Sequence, residues 1–338
     1  RTWTKSQAAG RPHHQHCILR PGFSVGRLHA AATRTENPLT RELHKEKGLM
    51  VLEIILILIL GVLAGGVVNL LADELPYRRN LTLPRYADGT PRPLSAWLGL
   101  SAFLLGQRSP AQPAPDASHA RPAQASQLTW RYPATEILTA LLMLVAYLRS
   151  IEIVSVTAVD FSPLQTAFWL LYCAIFMLII VIDMEHKLIL FVVMIPSFVL
   201  AILDALLLPI PGPTLRDSLL GGAVGFGIFF LLYQGGFLFT YILGQIRGEN
   251  IQTVAFGYGD VMMMTFSGLL LGFSYIFIAM FITVFLGAFG AFAYLISRAV
   301  LGQRYSAFTA IPYGPYIVIA TAAMLFYGGP IRIALMGY

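Results

Sequence analysis

The chain of 338 residues is 57% hydrophobic and only 12% charged, with a mean hydropathy of +0.69. These values are typical of a polytopic membrane protein and exclude a soluble globular protein. The formal net charge of +6 does not indicate nucleic-acid binding, because the basic residues lie mostly in short connections between hydrophobic segments, where they set membrane orientation. Cys17 and Cys173 have no neighbours at metal or disulfide spacing, so neither zinc nor a disulfide framework is expected.

The first 49 residues differ in composition from the rest of the chain. They contain five of the seven histidines and nine of the 23 lysine and arginine residues, and they lack apolar periodicity. They also lack the apolar core of a signal peptide, and the first methionine is Met50. We therefore interpret residues 1–49 as a disordered tail or as the product of a translation start placed too early, with Met50 as the natural beginning.

Residues 50–133 combine a first transmembrane helix with a polar segment. The apolar run 51–71 is long enough to span a bilayer. The sequence then becomes rich in proline, arginine, serine and alanine, and residues 110–126 are typical of a flexible linker. The apolar stretch 94–105 is too short to span, so we expect it to lie on the membrane or to pack against the helices.

Residues 134–330 hold the remaining spans and are followed by a short C-terminal tail, residues 331–338. The second span begins at Arg-Tyr-Pro-Ala-Thr-Glu136, where the proline and the acid favour a helix start. Further apolar runs predict spans at 163–183, 188–208, 217–243, 260–272, 275–297 and 311–327. The sequence therefore predicts an all-α membrane protein, a polytopic bundle of about eight transmembrane helices.

The distribution of basic residues predicts the orientation of this bundle. Connections on the side of segment 73–133 hold eleven lysine and arginine residues, whereas the opposite side holds only Arg149, Arg216 and Arg332. Cytoplasmic connections carry the excess of basic residues in membrane proteins. We therefore expect the segment between the first two spans to be cytoplasmic.

Two aspartates are predicted to lie at cytoplasmic helix ends, where Asp183 closes the third span and Asp260 opens the sixth. The other aspartates at span ends, Asp160, Asp204 and Asp217, fall on the far side. An ionisable residue at membrane depth costs at least about 2.5 kcal/mol, so by default it has a function. Two carboxyl groups about 3 Å apart cannot both ionise, and one can then accept a proton from water while the other polarises a carbonyl. The pair predicts an aspartic protease.

The residues around Asp260 fit this hypothesis and also a simpler one. In Gly257-Tyr-Gly-Asp260 the two glycines permit close backbone approach, which would let an extended substrate lie beside Asp260 as a strand. Because Asp260 begins a helix and Asp183 ends one, we predict that Asp260 is more often the ionised base. On the simpler interpretation, Asp260 only caps its helix and Asp183 lies in a solvated turn. On the simpler interpretation, Glu136 is an ordinary acid at a helix start, and Glu185, His186 and Glu249 are solvated.

Four stretches of the chain carry motifs in a recognisable order. They are Val68-Asn69 with Leu75-Pro-Tyr-Arg-Arg79; Arg131–Ala140; Ile182–Ile189 with Ile195-Pro196; and Gly257-Tyr-Gly-Asp260 with Ile311–Tyr316. In this order they resemble the motifs of bacterial type IV prepilin peptidases, polytopic aspartic proteases of the GxGD type. Together they cover the chain from about residue 55 to residue 327.

This resemblance implies that Asp183 and Asp260 are the catalytic pair and that proteolysis needs no cofactor. The substrates would be prepilins or pseudopilins of type IV pili or type II secretion, cut after a glycine that follows a basic leader. Cleavage would take place at the cytoplasmic face of the bacterial inner membrane. Substrate-binding or supporting roles are implied for Gly257, Tyr258, Gly259, Glu136, Pro312, Gly314 and Pro315.

Family members often also methylate the new N-terminus with S-adenosylmethionine, an activity associated with the segment between the first two spans. That segment commonly carries two zinc-binding Cys-x-x-Cys pairs, whereas residues 77–131 contain no cysteine. The resemblance therefore predicts proteolysis but leaves methylation open, with zinc not expected.

Three alternatives remain at this stage. A GxGD intramembrane protease with a non-pilin substrate, resembling signal peptide peptidase or presenilin, would carry Pro-Ala-Leu and Tyr-Asp motifs, whereas this chain has Ile311-Pro-Tyr-Gly-Pro315 and Ile182-Asp183. A non-enzymatic transporter would use acids as proton relays distributed through the membrane. A relative without processing activity, acting as an assembly scaffold, is the third.

Overall fold

The computed structural model describes residues 38–77, 82–86, 88–110, 127–157, 162–209, 212–247, 257–300 and 312–337. The chain divides into two compact units, residues 1–48 and residues 49–338. The described residues form helices and contain no β-strand, apart from one isolated bridge between Arg85 and Pro91. The predicted all-α fold is confirmed.

Eight α-helices follow one another along the described residues. They are α1 (Pro38–Glu74), α2 (Gly99–Leu104), α3 (Arg131–Thr157), α4 (Pro163–His186), α5 (Phe191–Leu207), α6 (Leu215–Arg247), α7 (Tyr258–Val300) and α8 (Gly314–Met336). Helix α1 begins inside the stretch 1–49 for which the sequence predicts a tail, and residues 1–37 lie outside the described residues. The predicted short apolar stretch 94–105 forms the 3-10 helix Leu94–Ala96 and then α2.

Six of these helices are long and apolar enough to cross a membrane, namely α1, α3, α4, α6, α7 and α8. Helix α5 is apolar but has only 17 residues. The sequence predicts two separate spans, 260–272 and 275–297, in the region that the structure describes as one helix, α7. The polytopic membrane fold is thus confirmed. The structure corresponds to the eight predicted spans only if α5 is counted and α7 consists of two separate arms.

Helix α7 reverses its direction at Gly272, where the backbone is non-helical with φ 72° and ψ 177°. A continuous helix would separate residues 260 and 287 by about 40 Å. Instead, Asp260 interacts electrostatically with Tyr313, and a Cβ added to Gly287 would meet the ring of that same Tyr313 at 2.5 Å. The chain therefore forms a helical hairpin, with a first arm of residues 258–271 and a second arm of residues 273–300, which matches the two predicted spans.

Small residues allow the first arm of α7 to approach α6 closely. The backbone of Gly221 in α6 contacts Gly268, and Gly225 contacts the backbone of Met264, which gives the two helices an antiparallel arrangement. The Ser218 hydroxyl also donates a hydrogen bond to the Leu269 carbonyl over 2.7 Å. Glycine and serine at such crossings are typical of helix packing in membranes. These contacts fix the first arm, which carries Asp260 at its start.

The apolar core surrounds α4 and the first arm of α7. Tyr172 and Phe176 of α4 are fully buried, and both make edge contacts with the buried ring of Phe266. In the same layer the hydroxyls of Ser267 and Thr321 form a hydrogen bond of 2.6 Å. The two helices that carry Asp183 and Asp260 are therefore anchored in the apolar core.

Candidate active site

Asp183 lies in the last turn of α4 and is only 5% exposed. Its Oδ2 accepts a hydrogen bond of 2.9 Å from the backbone N–H of Gly314, the first residue of α8. Helix α4 ends just beyond, at Lys187, whose φ of 54° is left-handed and whose N–H donates to the Asp183 carbonyl. The carboxylate is thus held between the end of one helix and the start of another.

Asp260 is held by the backbone at the start of α7. Its Oδ2 accepts a hydrogen bond of 3.1 Å from the Gly257 N–H, and its own N–H donates to the Gly257 carbonyl. An acid three residues after the N-cap that accepts the N-cap N–H forms half of a capping box. The capping role that the sequence offers as a simpler interpretation therefore exists, and it also fixes the position of this carboxylate.

The structure brings the two aspartates together at one end of the bundle. Asp183 and Asp260 are close enough to interact electrostatically, and Asp260 also acts on Tyr313, which directly precedes the Gly314 that binds Asp183. Burial, assisted by the negative Asp260, raises the pKa of Tyr313 to about 12. Tyr313 therefore remains a neutral phenol beside the two carboxyl groups at physiological pH.

Each carboxyl group has one oxygen bound to a backbone N–H and one oxygen left over. Among the described residues, neither Asp183 Oδ1 nor Asp260 Oδ1 accepts a protein hydrogen bond. Each of these oxygens is available to bind water or a substrate carbonyl. The arrangement thus has the chemical groups that a carboxylate-catalysed hydrolysis requires.

Within its own helix, Asp183 lies at the C-terminal end and Asp260 at the N-terminal end, which is the basis for predicting Asp260 as the base. In the structure Asp183 also faces an N-terminus, that of α8, and accepts its N–H. A helix N-terminus favours a negative charge, so both aspartates receive this stabilisation. The assignment of Asp260 as the base therefore stays a prediction without the support of the helix dipole.

The two neighbours of Asp260 within the glycine motif contact other residues. The Tyr258 ring stacks on Phe191 with centroids 5.9 Å apart and meets Tyr233 edge-on at 5.8 Å. A Cβ on Gly259 would lie 2.8 Å from the Ile189 side chain, so the lack of a side chain permits this contact between α7 and the connection after α4. Gly257 is exposed and supplies the N–H to Asp260.

Gly314 and the two prolines around it shape the start of α8. A Cβ on Gly314 would meet Asp183 Oδ2 at 2.7 Å, so only glycine allows the carboxylate to approach this backbone. Pro315 lies in the first turn of α8, where its missing N–H costs nothing. Pro312 precedes Tyr313 and is half-buried. Three of the predicted supporting residues thus belong to one turn that binds Asp183.

Glu136 lies apart from the aspartates and binds a different helix. It is 0% exposed, and its carboxylate accepts the N–H groups of Gly99 (2.5 Å) and Leu100 (2.7 Å) at the start of α2. The Asn69 amide donates to it from α1 over 3.4 Å. Among the described residues Glu136 contacts neither aspartate, and it joins α1, α2 and α3.

A polar network beside Asp183 is not predicted by the sequence analysis. Arg131, at the start of α3, pairs with Asp73 of α1 and, over 2.6 Å, with Glu185 of α4. Tyr132 also donates to Asp73 over 2.9 Å. From the sequence, Arg131 belongs to the predicted start of the second span and to one of the four motif stretches, and Glu185 is interpreted as solvated. The nearness of Glu185 to Asp183 along the chain is the one sequence signal for this network.

No group of three or more metal-ligating side chains occurs within the ranges that the structure describes. The segment between α1 and α3 has a small core of its own, in which Tyr86, Ala96, Ala102 and Leu128 are buried together. Arg92 places its guanidinium 4.6 Å from the centroid of the Tyr132 ring and links this core to α3. The described part of the segment is thus held together by apolar and cation–π contacts.

Residues 170–292 match the type IV leader peptidase family. The matched stretch contains both Asp183 and Asp260, but it covers neither the segment before α4 nor helix α8. It confirms the resemblance inferred from the sequence motifs and supports protease activity in a multi-pass membrane protein. No curated protein and no solved structure matches the chain significantly.

Proposed function

We propose that this chain is an aspartic endopeptidase in which Asp183 and Asp260 activate one water molecule at the end of the helix bundle. The observation that supports the proposal is that two carboxyl groups from distant parts of the chain interact electrostatically, each fixed through one oxygen by a backbone N–H. The match of the surrounding residues 170–292 to a peptidase family supports the same reaction class.

In the proposed reaction the two aspartates share one proton before water attacks. The ionised carboxylate accepts a proton from the water molecule as its oxygen forms a bond to the scissile carbonyl carbon. The protonated carboxyl gives its proton to the carbonyl oxygen, which yields a tetrahedral diol. Collapse of the diol breaks the C–N bond: one diol hydroxyl returns its proton to the carboxylate that is now ionised, and the amine leaves with the proton taken from water. The pair ends the cycle with one proton, as it began.

The substrate that we propose is the basic leader of a prepilin or pseudopilin, cut after a glycine at the cytoplasmic face of the bacterial inner membrane. Its support is the resemblance of the four motif stretches and the excess of basic residues on the aspartate side. A substrate whose apolar segment stays in the membrane would present its leader at the level of the two carboxyl groups.

Replacement of either aspartate tests the protease proposal. We expect Asp183→Asn and Asp260→Asn each to slow leader removal from a co-expressed prepilin by ~10²–10⁴-fold, because each removes one partner of the proton exchange. The measurement is the ratio of processed to unprocessed pilin over time. Glu53→Gln is the matched control, since it removes a carboxylate of α1 that binds Tyr147. Normal processing by both aspartate variants would refute the proposal.

We also propose that the segment between α1 and α3 can hold S-adenosylmethionine for methylation of the new N-terminus. A cavity of about 680 Å³ lies between this segment and α1, in the size range of cofactor sites, and it is lined by aromatic residues that include Tyr86, Trp97 and Tyr132. Asn69 and Glu74 line this cavity, and Asn69 Oδ1 and Glu74 Oε2 have no partner among the described residues. A small movement of either side chain would let its free oxygen accept from a hydroxyl or ammonium group of the cofactor. The bound group would supply an electrophilic methyl.

Mass spectrometry of the processed pilin tests this second activity. We expect an N-terminus heavier by one methyl group, and we expect Glu74→Gln to reduce methylation several-fold while leader removal continues. Equilibrium dialysis of the purified protein with labelled S-adenosylmethionine gives a readout that does not depend on the pilin. An unmethylated pilin together with no cofactor binding would refute the methylation proposal and leave the protease proposal standing.

A further inference from the structure

A second cavity, with a mostly apolar wall, lies at the end of the bundle opposite the two aspartates. It has a volume of about 540 Å³ and is lined in part by Gln165 of α4, Asp204 of α5 and Arg149 of α3. Gln165 and Asp183 belong to the same continuous helix and are about 27 Å apart along it. The cavity is therefore separate from the candidate active site.

Asp204 enters this cavity without a basic partner. Its carboxylate accepts hydrogen bonds from the Tyr172 hydroxyl at 2.9 Å and from the Gln165 amide nitrogen at 3.1 Å, and both donors are neutral. No lysine or arginine among the described residues forms an ion pair with it. A carboxylate removed from water in this way favours a cation beside it.

The basic residue of the cavity wall is already engaged elsewhere. Arg149 pairs through Nη1 with Glu152, donates through Nε to the Phe326 carbonyl over 3.1 Å, and lies 4.3 Å from the centroid of the Tyr327 ring. Its charge is therefore balanced by Glu152. The cavity wall also carries Asp217, which accepts from Thr214 at the rim, so that three acidic side chains face one basic side chain.

Gln165 adds an unpaired acceptor to the same wall. The residue is 2% exposed, and its Nε2 must face Asp204, because a carboxylate only accepts hydrogen bonds. This orientation turns Oε1 away from Asp204, and Oε1 has no partner in the part of the chain that the structure describes. A buried acceptor without a donor is destabilising, and buried polar groups are nearly always paired.

We propose that this cavity binds a primary ammonium group carried on an apolar body. The ammonium N–H groups would donate to the Asp204 carboxylate, which supplies the opposite charge, and a small movement of the Gln165 side chain would let its Oε1 accept as well. Trp169, Leu270 and Phe326 line the same cavity and would contact the apolar body. The volume is in the range of organic ligand sites, and the described residues hold no cluster of three metal ligands, so a bare metal ion fits less well.

The first experiment measures the thermal stabilisation of the purified protein by n-hexylamine and by n-hexanol, which has the same chain without the charge. We expect hexylamine to stabilise the wild-type protein at lower concentration than hexanol. We expect Asp204→Asn to weaken the apparent affinity for hexylamine about tenfold, because the ammonium then meets a neutral acceptor in place of a carboxylate. Asp217→Asn is the matched control, and we expect it to change that affinity less than about twofold.

The second experiment distinguishes a lipid amine from a soluble amine. Native mass spectrometry after reconstitution would detect retained phosphatidylethanolamine, with phosphatidylcholine, whose nitrogen has no N–H, as the comparison. Retention of the ethanolamine lipid by wild type and its loss from Asp204→Asn would identify a lipid ligand, whereas binding of hexylamine alone would identify a soluble one. Equal effects of hexylamine and hexanol on the wild-type protein would overturn the proposal, even if Asp204→Asn failed to fold.

Discussion

The backbone N–H of Gly314 is the group that fixes the Asp183 carboxylate, and the missing side chain at this position is what permits the contact. The hydrogen bond of 2.9 Å joins residues 131 positions apart, so it fixes the position of α8 relative to α4 as well as the orientation of one carboxyl group. Tyr313, the residue before it, brings a neutral phenol next to Asp260. A single turn therefore serves both aspartates.

Alanine at position 314 tests this role. A Cβ there would lie 2.7 Å from Asp183 Oδ2 and 3.1 Å from Cγ, so the carboxyl group would have to move. A displacement of about 1 Å at a catalytic group can cost about 100-fold in rate. We therefore expect Gly314→Ala to lower the kcat of leader cleavage by about that factor, as measured with purified protein and a prepilin substrate.

Gly235→Ala is the control for this prediction, because no atom lies within 4 Å of a Cβ at that position in α6. Cleavage by Gly235→Ala at the wild-type rate would show that the loss is specific to the turn at α8. A kcat for Gly314→Ala equal to that of wild type would mean that the Asp183 carboxylate does not need its observed position.

Among the helices, α7 has the largest consequence for the site, because its reversal at Gly272 determines which residues return to the aspartate end. The second arm comes back to the turn at Tyr313, where a Cβ on Gly287 would meet the ring at 2.5 Å. Without the reversal, the chain after residue 272 would continue beyond the far end of the bundle. The backbone at Gly272 thus sets the position of the whole C-terminal part relative to Asp260.

We predict that Gly272→Ala destabilises the protein by about 1–3 kcal/mol, since φ 72° with ψ 177° is a conformation that essentially only glycine adopts. The Cβ would in addition lie 2.9 Å from the Pro213 side chain. Thermal unfolding of the detergent-solubilised protein measures the effect as a lower Tm. Gly227→Ala in α6, where a Cβ has no neighbour within 4 Å, should leave the Tm unchanged or raise it. Equal Tm values for the two variants would contradict the assignment of a strained turn.

At the scale of the whole molecule, hydropathy alone predicts the spans. It also predicts the break within α7, because the apolar runs 260–272 and 275–297 are separated close to Gly272, where the chain turns. The two aspartates can be found from sequence as carboxyl groups predicted to lie on one side. Their partners cannot, because the contact of Asp183 with Gly314 depends on the packing of α8 against α4. The role of Glu136 in holding α2 is equally invisible, since an acid in the first turn of a helix is common without any such contact.

Two helical elements beside the aspartates are shorter than the hydrocarbon core of a bilayer, which is about 30 Å thick. Helix α5, with 17 residues, is about 25 Å long, and the first arm of α7 is about 20 Å long. A bilayer next to such short elements thins, or polar headgroups sink to meet them. With the proposed function, hydrolysis would take place where the bilayer is locally thinned beside the aspartates, so that solvent reaches the scissile bond while the apolar part of the substrate stays in lipid. Membranes of different thickness should therefore change the turnover of this protein without any change in its sequence.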